Sequence, residues 1–153
     1  MIIGVISDTH VRSFAELPQN LVAALAKTDL IIHAGDVTTL DVIKSLERLA
    51  PVKGVYGNMD LPEVKVVFPQ KQVIEVGGKK IGIMHGNGGP WMIEWRVRQA
   101  FNDVDAIIFG HSHEAFNNII DGILLFNPGR ASKSYGLLEI GDKIEGKIIA
   151  GYY

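Results

Sequence analysis

The chain has 153 residues, and its 15 basic and 17 acidic side chains give a formal net charge of -2. This balance leaves no basic footprint of the kind that nucleic-acid binding requires, and no apolar run approaches the ~20 residues of a membrane span. The absence of Cys excludes disulfides, thiolate nucleophiles and sulfur-ligated zinc. Any metal must therefore be held by nitrogen and oxygen ligands.

The length suits a single domain spanning residues 1–153. The first residues form a strand-like apolar run without a basic leader, and this pattern predicts a cytoplasmic protein. Apolar residues 148–150 and the terminal pair Tyr152 and Tyr153 offer an edge through which two copies could pair. A homo-oligomer is therefore an open expectation.

Three helices are predicted in the first two-thirds of the chain, from apolar residues at helical spacing. The first covers residues 14–25, and the second begins at a cap on Thr38 or Thr39. The third covers residues 93–101. Because strand-like runs alternate with these helices, the first half is predicted to be rich in βαβ units.

From residue 64 onward the pattern is one of strands and tight turns. Residues 64–68 are predicted to form a strand, and Gly77-Gly78 and Asp121-Gly122 are predicted hairpin turns. The second half is therefore expected to be largely antiparallel. The whole chain is predicted to be an α/β protein with two packed sheets and helices on the outer faces.

Five apolar runs end on residues able to hold a metal. Polar side chains beyond the carboxyl ends of buried strands are where open α/β sheets place their sites, so one shared site is inferred. The five segments that follow these runs are Ser7-Asp8-Thr9-His10, His33-Ala34-Gly35-Asp36, Gly57-Asn58-Met59-Asp60, His85-Gly86-Asn87 and Gly110-His111-Ser112-His113.

Most of these segments also have a simpler interpretation. Asp8 and His10 fit a turn followed by a capped helix, and Asp36 fits a helix cap. Asn58 fits a plain turn, and a single histidine such as His85 is more often a hydrogen-bonded core residue than a ligand.

Two imidazoles separated by one residue after an apolar run are hard to explain by packing, and they make the last segment the strongest. Taken together, the segments supply two carboxylates, one amide and four imidazoles, a number that matches two metal sites sharing Asp36. The candidate metal ligands are Asp8, His10, Asp36, Asn58, His85, His111 and His113.

Two further polar residues are assigned supporting roles. His33 lies within the predicted second strand, which favours a buried, hydrogen-bonded position over coordination. Asp60 could likewise support a ligand by hydrogen bonding, as is common around metal sites.

These motifs, in this order over about two-thirds of the chain, resemble those of the calcineurin-like metallophosphoesterases. The length and spacing are similar to the small single-domain phosphodiesterases of bacteria and archaea. The resemblance implies a four-layer α/β/β/α sandwich with two mixed sheets and a binuclear site. It implies one metal on Asp8, His10, Asp36 and His113, and a second on Asp36, Asn58, His85 and His111.

The activity implied by the resemblance is hydrolysis of a small phosphodiester by a hydroxide that bridges two divalent ions. Asn58 and Asp60 are the catalytic candidates, with Asn58 donating a hydrogen bond to the phosphoryl group. Manganese is the first choice of metal, and iron, zinc, cobalt and nickel also suit the ligand set. The alternative is an inactive metal-binding interaction module, like the retromer scaffold subunit of the same fold.

The chain departs from the family pattern at two positions. Met59 stands where many relatives have a histidine that helps to protonate the leaving group. Arg130 follows the Asn127-Pro128-Gly129 turn where the small branch has serine, so Arg130, and Arg12 near the first motif, are candidate phosphate contacts or solvent-facing side chains.

A Gly-rich stretch after His85 leads into Trp91, Met92 and Trp95. These side chains form either an aromatic lip over the site or a helix face packed in the core or against another subunit. The packed helix face is the favoured interpretation.

Overall fold

A computed structural model describes residues 1–151. Within this range, ten strands form two five-stranded mixed sheets. The strands are β1 Ile2–Ile6, β2 Leu30–His33, β3 Val52–Gly54, β4 Lys71–Val76, β5 Lys79–Met84, β6 Ala106–Ile108, β7 Phe116–Ile120, β8 Ile123–Asn127, β9 Ser134–Ile140 and β10 Ile144–Ala150. The helices are α1 Gln19–Leu25, α2 Leu40–Glu47, α3 Pro62–Val67 and α4 Ile93–Gln99, with a short 3₁₀ turn at Phe14–Glu16.

The two sheets have different strand orders, but each contains three adjacent parallel strands. The first sheet has the order β10-β9-β1-β2-β3, in which β1, β2 and β3 are parallel and β9 pairs antiparallel with both β1 and β10. The second sheet has the order β4-β5-β6-β8-β7, in which β5, β6 and β8 are parallel. The parallel strands of each sheet therefore end at the same edge of that sheet.

Alternation along the strands divides the buried apolar residues into three layers. Ile32 of β2 lies in the layer between the two sheets. Its neighbour Ile31 faces the other way and belongs to the same buried cluster as Ile43 of α2. In the second sheet, Ile107 lies in a cluster with Val97 of α4. The result is the predicted α/β/β/α sandwich, with two sheets back to back and helices outside.

The predicted strand over residues 64–68 is wrong, because the segment lies mostly in helix α3. The β-branched run favours a strand locally. Only Val64 and Phe68 of this run are buried, however, and their spacing of four residues is that of one helix face. Pro62 in the first turn supplies a backbone angle suited to a helix start.

The second half is less antiparallel than predicted, since β5, β6 and β8 are all parallel. Helix α4 forms the crossover between β5 and β6, as parallel neighbours require. The two hairpin turns are confirmed, with positive φ at both Gly77 and Gly78 and at both Asp121 and Gly122.

Strand β10, which carries the apolar residues 148–150, lies at one edge of the first sheet. Its Gly146 carbonyl accepts a hydrogen bond from the Asn117 side chain of β7, with the two atoms 2.8 Å apart. Tyr152 and Tyr153 lie outside the described residues. Among residues 1–151, no helix is long and apolar enough to cross a membrane.

Candidate metal centre

The loops that follow the parallel strands bring the predicted segments to one edge of the sandwich. The backbone N–H of Asp8 donates to the Gly35 carbonyl at 3.0 Å, which joins the loops after β1 and β2. The N–H of Gly110 donates to the His85 carbonyl at 3.0 Å, which joins the loops after β5 and β6. The shared site inferred from the five strand ends therefore exists as a spatial cluster.

Five of the predicted ligands have a backbone in the left-handed region. The φ angles are 53° for Asp8, 50° for His10, 56° for Asp36, 68° for His111 and 63° for His113. Such angles are unfavourable for residues other than glycine, and they concentrate where function requires them. These loops are therefore bent to direct side chains to one place.

The carboxylates of Asp8 and Asp36 lie among imidazoles. Asp8 Oδ1 is 3.3 Å from His113 Nε2 and 3.7 Å from both His10 Nε2 and His85 Nε2. Asp36 Oδ2 is 3.3 Å from His85 Nε2 and 3.6 Å from His10 Nε2. Two groups of three, Asp8 with His10 and His113 and Asp8 with Asp36 and His85, have ligand atoms within 4.8 Å of one another.

The atoms at the centre of the cluster have no hydrogen-bond partner within residues 1–151. They are Asp8 Oδ1, His10 Nε2 and His85 Nε2, and all three are buried. Buried polar atoms are normally hydrogen-bonded, and converging unpaired oxygen and nitrogen ligands are what a divalent cation requires. The residues present therefore fit a metal.

Hydrogen bonds outside the cluster fix the orientation of its ligands. Asp8 Oδ2 accepts from the Ser7 hydroxyl at 2.7 Å and from the His111 N–H at 3.2 Å, which directs Oδ1 inward. His85 Nδ1 lies 2.7 Å from the Ala34 carbonyl, so this nitrogen carries the proton and Nε2 presents a lone pair. This is the arrangement typical of metal-binding histidines.

Charge and burial oppose one another at Asp36 and His85. Burial raises the pKa of Asp36, but the nearby imidazoles of His85 and His10, together with the Met59 N–H, outweigh it and lower the pKa overall. Burial lowers the pKa of His85, but the nearby carboxylates of Asp36 and Asp8 raise it overall. The cluster therefore keeps Asp36 ionised and favours cationic partners.

Asp60 lies behind the cluster. Its Oδ2 accepts from the Gly57 and Asp36 N–H groups at 2.7 and 3.0 Å, and its Oδ1 accepts from the Thr38 N–H at 2.6 Å. Burial raises the pKa of Asp60 against the effect of these N–H groups. Asp60 thus supports the loop that carries Asp36.

His33 is fully buried and hydrogen-bonded, as the sequence predicted. Its Nδ1 accepts from the Gly35 N–H at 3.2 Å, and its Nε2 lies 3.1 Å from the Thr9 hydroxyl. Burial, reinforced by the nearby charge of His85, lowers the pKa of His33 to about 3. His33 is therefore neutral and braces the loops beneath the cluster.

Two glycines permit the close approach of these loops. A Cβ on Gly57 would lie 2.2 Å from Asp36 Oδ1, and a Cβ on Gly110 would lie 2.0 Å from Ser7 Oγ. Both distances are far below van der Waals contact. Any larger residue would push Asp36 or Asp8 out of place.

Asn58 and His111 lie at the mouth of the site. Asn58 is exposed and lines a small cavity beside His85. The His111 ring centroid lies 5.2 Å from that of His85, but its Nε2 is 2.8 Å from the Gly88 carbonyl. His111 is therefore adjacent to the cluster without joining it.

The arginine and tryptophan side chains considered as substrate contacts are exposed to solvent. Arg12 and Arg130 are both exposed, and the Arg130 N–H donates to the His113 carbonyl at 3.4 Å. Trp91 is 85% exposed and Trp95 is 43% exposed, so the prediction that these rings pack in the core is wrong.

Two buried side chains that hold the first and last loops were not predicted from the sequence. Ser7 directs Asp8, as described above, and Asn127 donates to the Gly110 carbonyl at 3.0 Å and to Ser112 Oγ at 3.1 Å. Both follow or end a buried strand, which was the available signal.

The comparisons identify the family. The model of the calcineurin-like phosphoesterase superfamily domain matches residues 1–142. The chain belongs to this family. A probable metallophosphoesterase from Methanocaldococcus jannaschii is 40% identical over 97% of this chain and 81% of its own length. The resemblance drawn from the five motifs is therefore confirmed.

Other similar proteins differ in what their names describe. A phosphodiesterase from the same archaeon is 30% identical over 84% of this chain and 83% of its own length. The zinc complex of Vps29 from Entamoeba histolytica has a TM-score of 0.77 at 28% identity, covering 98% of this chain and 99% of that chain. The fold is thus shared by proteins whose names describe different roles.

Proposed function

We propose that this protein is a metal-dependent phosphodiesterase, acting as one domain over residues 1–153. The observation that carries the proposal is the convergence of unpaired, buried carboxylate and imidazole atoms at the carboxyl ends of parallel strands. Family membership and the 30% identical phosphodiesterase support the same reaction class.

The ligand assignment in this proposal follows the five motifs. One ion would be held by Asp8, His10, Asp36 and His113. The position of Asp36 Oδ2 between His10 and His85 supports Asp36 as the shared ligand. The second ion would take Asp36, Asn58, His85 and His111, and His111 Nε2 would have to leave the Gly88 carbonyl.

When bound, two divalent ions, with manganese as our first choice, would lower the pKa of a water and neutralise charge on the phosphoryl group. Asn58 at the mouth offers amide protons to a phosphoryl oxygen. Met59 has no titratable proton, and both carboxylate oxygens of Asp60 accept hydrogen bonds from backbone N–H groups. With neither residue donating a proton, diesters with good leaving groups are the favoured substrates.

The test is hydrolysis of bis-para-nitrophenyl phosphate by protein loaded with Mn²⁺. We expect Asp36→Asn to reduce the rate roughly 1,000-fold, at the upper end of the effect of removing one electrostatic group. Asp41→Asn, on the exposed face of α2, is the matched control and should retain activity. Equal rates for the wild type and Asp36→Asn would overturn the proposal.

The likeness to Vps29 supports a second candidate, a metal-binding interaction module without turnover. Elemental analysis of the purified protein separates the two. Two metal ions per chain, both lost in Asp36→Asn and accompanied by hydrolysis, support the enzyme. Bound metal without hydrolysis of any diester supports the interaction module.

A further inference from the structure

A small cavity opens beside the candidate metal centre, on the side of helix α3. Its volume is about 140 Å³, and His85 forms one wall. Four other lining side chains are polar, namely Asn58, Lys65, Gln70 and Asn87.

Lys65 gives this cavity a positive charge. Its Nζ lies 5.2 Å from the centroid of the Tyr56 ring, which also lines the cavity. No carboxylate lines the cavity, and within residues 1–151 Lys65 forms no ion pair. The ammonium group is therefore available to an anion from outside.

The carboxamides of Asn58, Gln70 and Asn87 add hydrogen-bond donors around the same space. Amide N–H groups and an ammonium group together suit the oxygens of an anion. A cavity of about 140 Å³ is well below the roughly 300 to 1,000 Å³ that holds a drug-sized ligand. The cavity therefore fits a group of a few atoms.

We propose that this cavity, with Lys65 as its specificity-determining residue, binds a second anionic group on the substrate. The group is a carboxylate or a phosphate attached near the phosphoryl group that the metal centre takes. The proposal rests on the proposed function, because the metal centre beside His85 would hold the phosphoryl end. Arg12 and Arg130, the cationic contacts predicted from the sequence, do not line this cavity.

The test measures binding of phosphonates, whose P–C bond is not hydrolysed, to protein loaded with Mn²⁺ by calorimetry. We expect 3-phosphonopropionate to bind about tenfold tighter than its neutral amide, as suits a charge-assisted hydrogen bond. In Lys65→Met the two ligands should bind with equal affinity, whereas Lys65→Arg should keep most of the preference for the acid. Lys44→Met, an exposed lysine of α2, should keep the wild-type ratio.

Ethane-1,2-diphosphonate distinguishes the two anions, since tighter binding of this probe than of 3-phosphonopropionate identifies phosphate as the preferred group. Equal affinity of the wild type for the acid and the amide, or no binding of either, overturns the proposal. So does a ratio that persists in Lys65→Met. Bis-para-nitrophenyl phosphate carries no second anionic group, so its hydrolysis does not require this cavity, and the failure of the proposed function is detected separately.

Discussion

The floor and the rim of the candidate metal centre are built differently. The floor consists of Asp8, Asp36 and His85, whose side chains are at most 4% exposed. The rim consists of Asn58 and Met59, both exposed, and His111, whose Nε2 lies 2.8 Å from a backbone carbonyl. The floor is held ready for a cation, whereas the rim faces solvent.

The difference follows from where hydrogen bonds are made. On the floor, one end of each ligand bonds to the surrounding loops, as with Ser7 to Asp8 and Ala34 to His85, while the other end points inward. On the rim, the side chains have few such restraints. Changes to the floor should therefore affect metal binding and stability, and changes to the rim should affect rate and selectivity.

The largest expected effect lies beneath the floor, at His33. The pKa of His33 is about 3 in the folded protein and 6.5 in the unfolded chain. Between pH 3 and pH 6.5 the unfolded chain therefore binds more protons than the folded protein. The free energy of unfolding should therefore fall as pH decreases from 6.5 towards 3, by up to about 1.4 kcal/mol per pH unit.

Denaturant titrations at several pH values, in the presence of a chelator, measure this slope. His33→Asn, which has no titratable side chain, should show a flatter dependence over the same range. An identical slope in the two proteins would show that another group is responsible.

The second effect concerns the glycine that lets the first and last loops meet. Gly110→Ala places a Cβ against Ser7 Oγ and 2.9 Å from Asp8 Oδ2, so it should weaken Mn²⁺ binding about 10- to 100-fold. Overpacking should also lower the free energy of unfolding by about 1 to 3 kcal/mol.

Calorimetric titration with Mn²⁺ and thermal unfolding measure these two quantities. Gly89→Ala is the matched control, because a Cβ there has no atom within 4 Å. Retention of wild-type affinity by Gly110→Ala would contradict a preformed floor.

The smallest effect is expected on the rim, at Met59. This side chain is 57% exposed, so a histidine can replace it without repacking the core. Met59→His should raise kcat for an alkyl diester about tenfold, which is less than a well-placed general acid contributes. It should have little effect on bis-para-nitrophenyl phosphate, whose leaving group needs no proton.

The pH profile of kcat for the alkyl diester is the second measurement. A rate that decreases above the pKa of the new histidine supports proton donation by the rim. Met59→Gln, which cannot titrate, should behave as the wild type. An equal gain in the glutamine variant would exclude acid catalysis as the cause.

Much of the site was visible in the sequence because its elements are local. Apolar runs followed by Asp, His or Asn predicted the strand ends, and the spacing of Asp8 from His10 and of His111 from His113 predicted paired ligands. The burial of His33 was also predicted, since it lies within a strand. These inferences needed only the period of a strand and the chemistry of each side chain.

The rest depended on contacts between distant segments. Residues 64–68 have the composition of a strand, yet burial of Val64 and Phe68 against the first sheet selects a helix. That helix carries Lys65 to the cavity, which the sequence could not show because Lys65 is far in the chain from His85.

The sequence by itself determined the fold class, the family and the set of candidate ligands, because each depends on short motifs and on residue type. Only the tertiary structure decided which ligand atoms converge, that the oxygens of Asp60 face backbone N–H groups, and that Lys65 is the cation beside His85. The physical reason is that convergence and burial arise from packing two sheets together. No single segment contains that information.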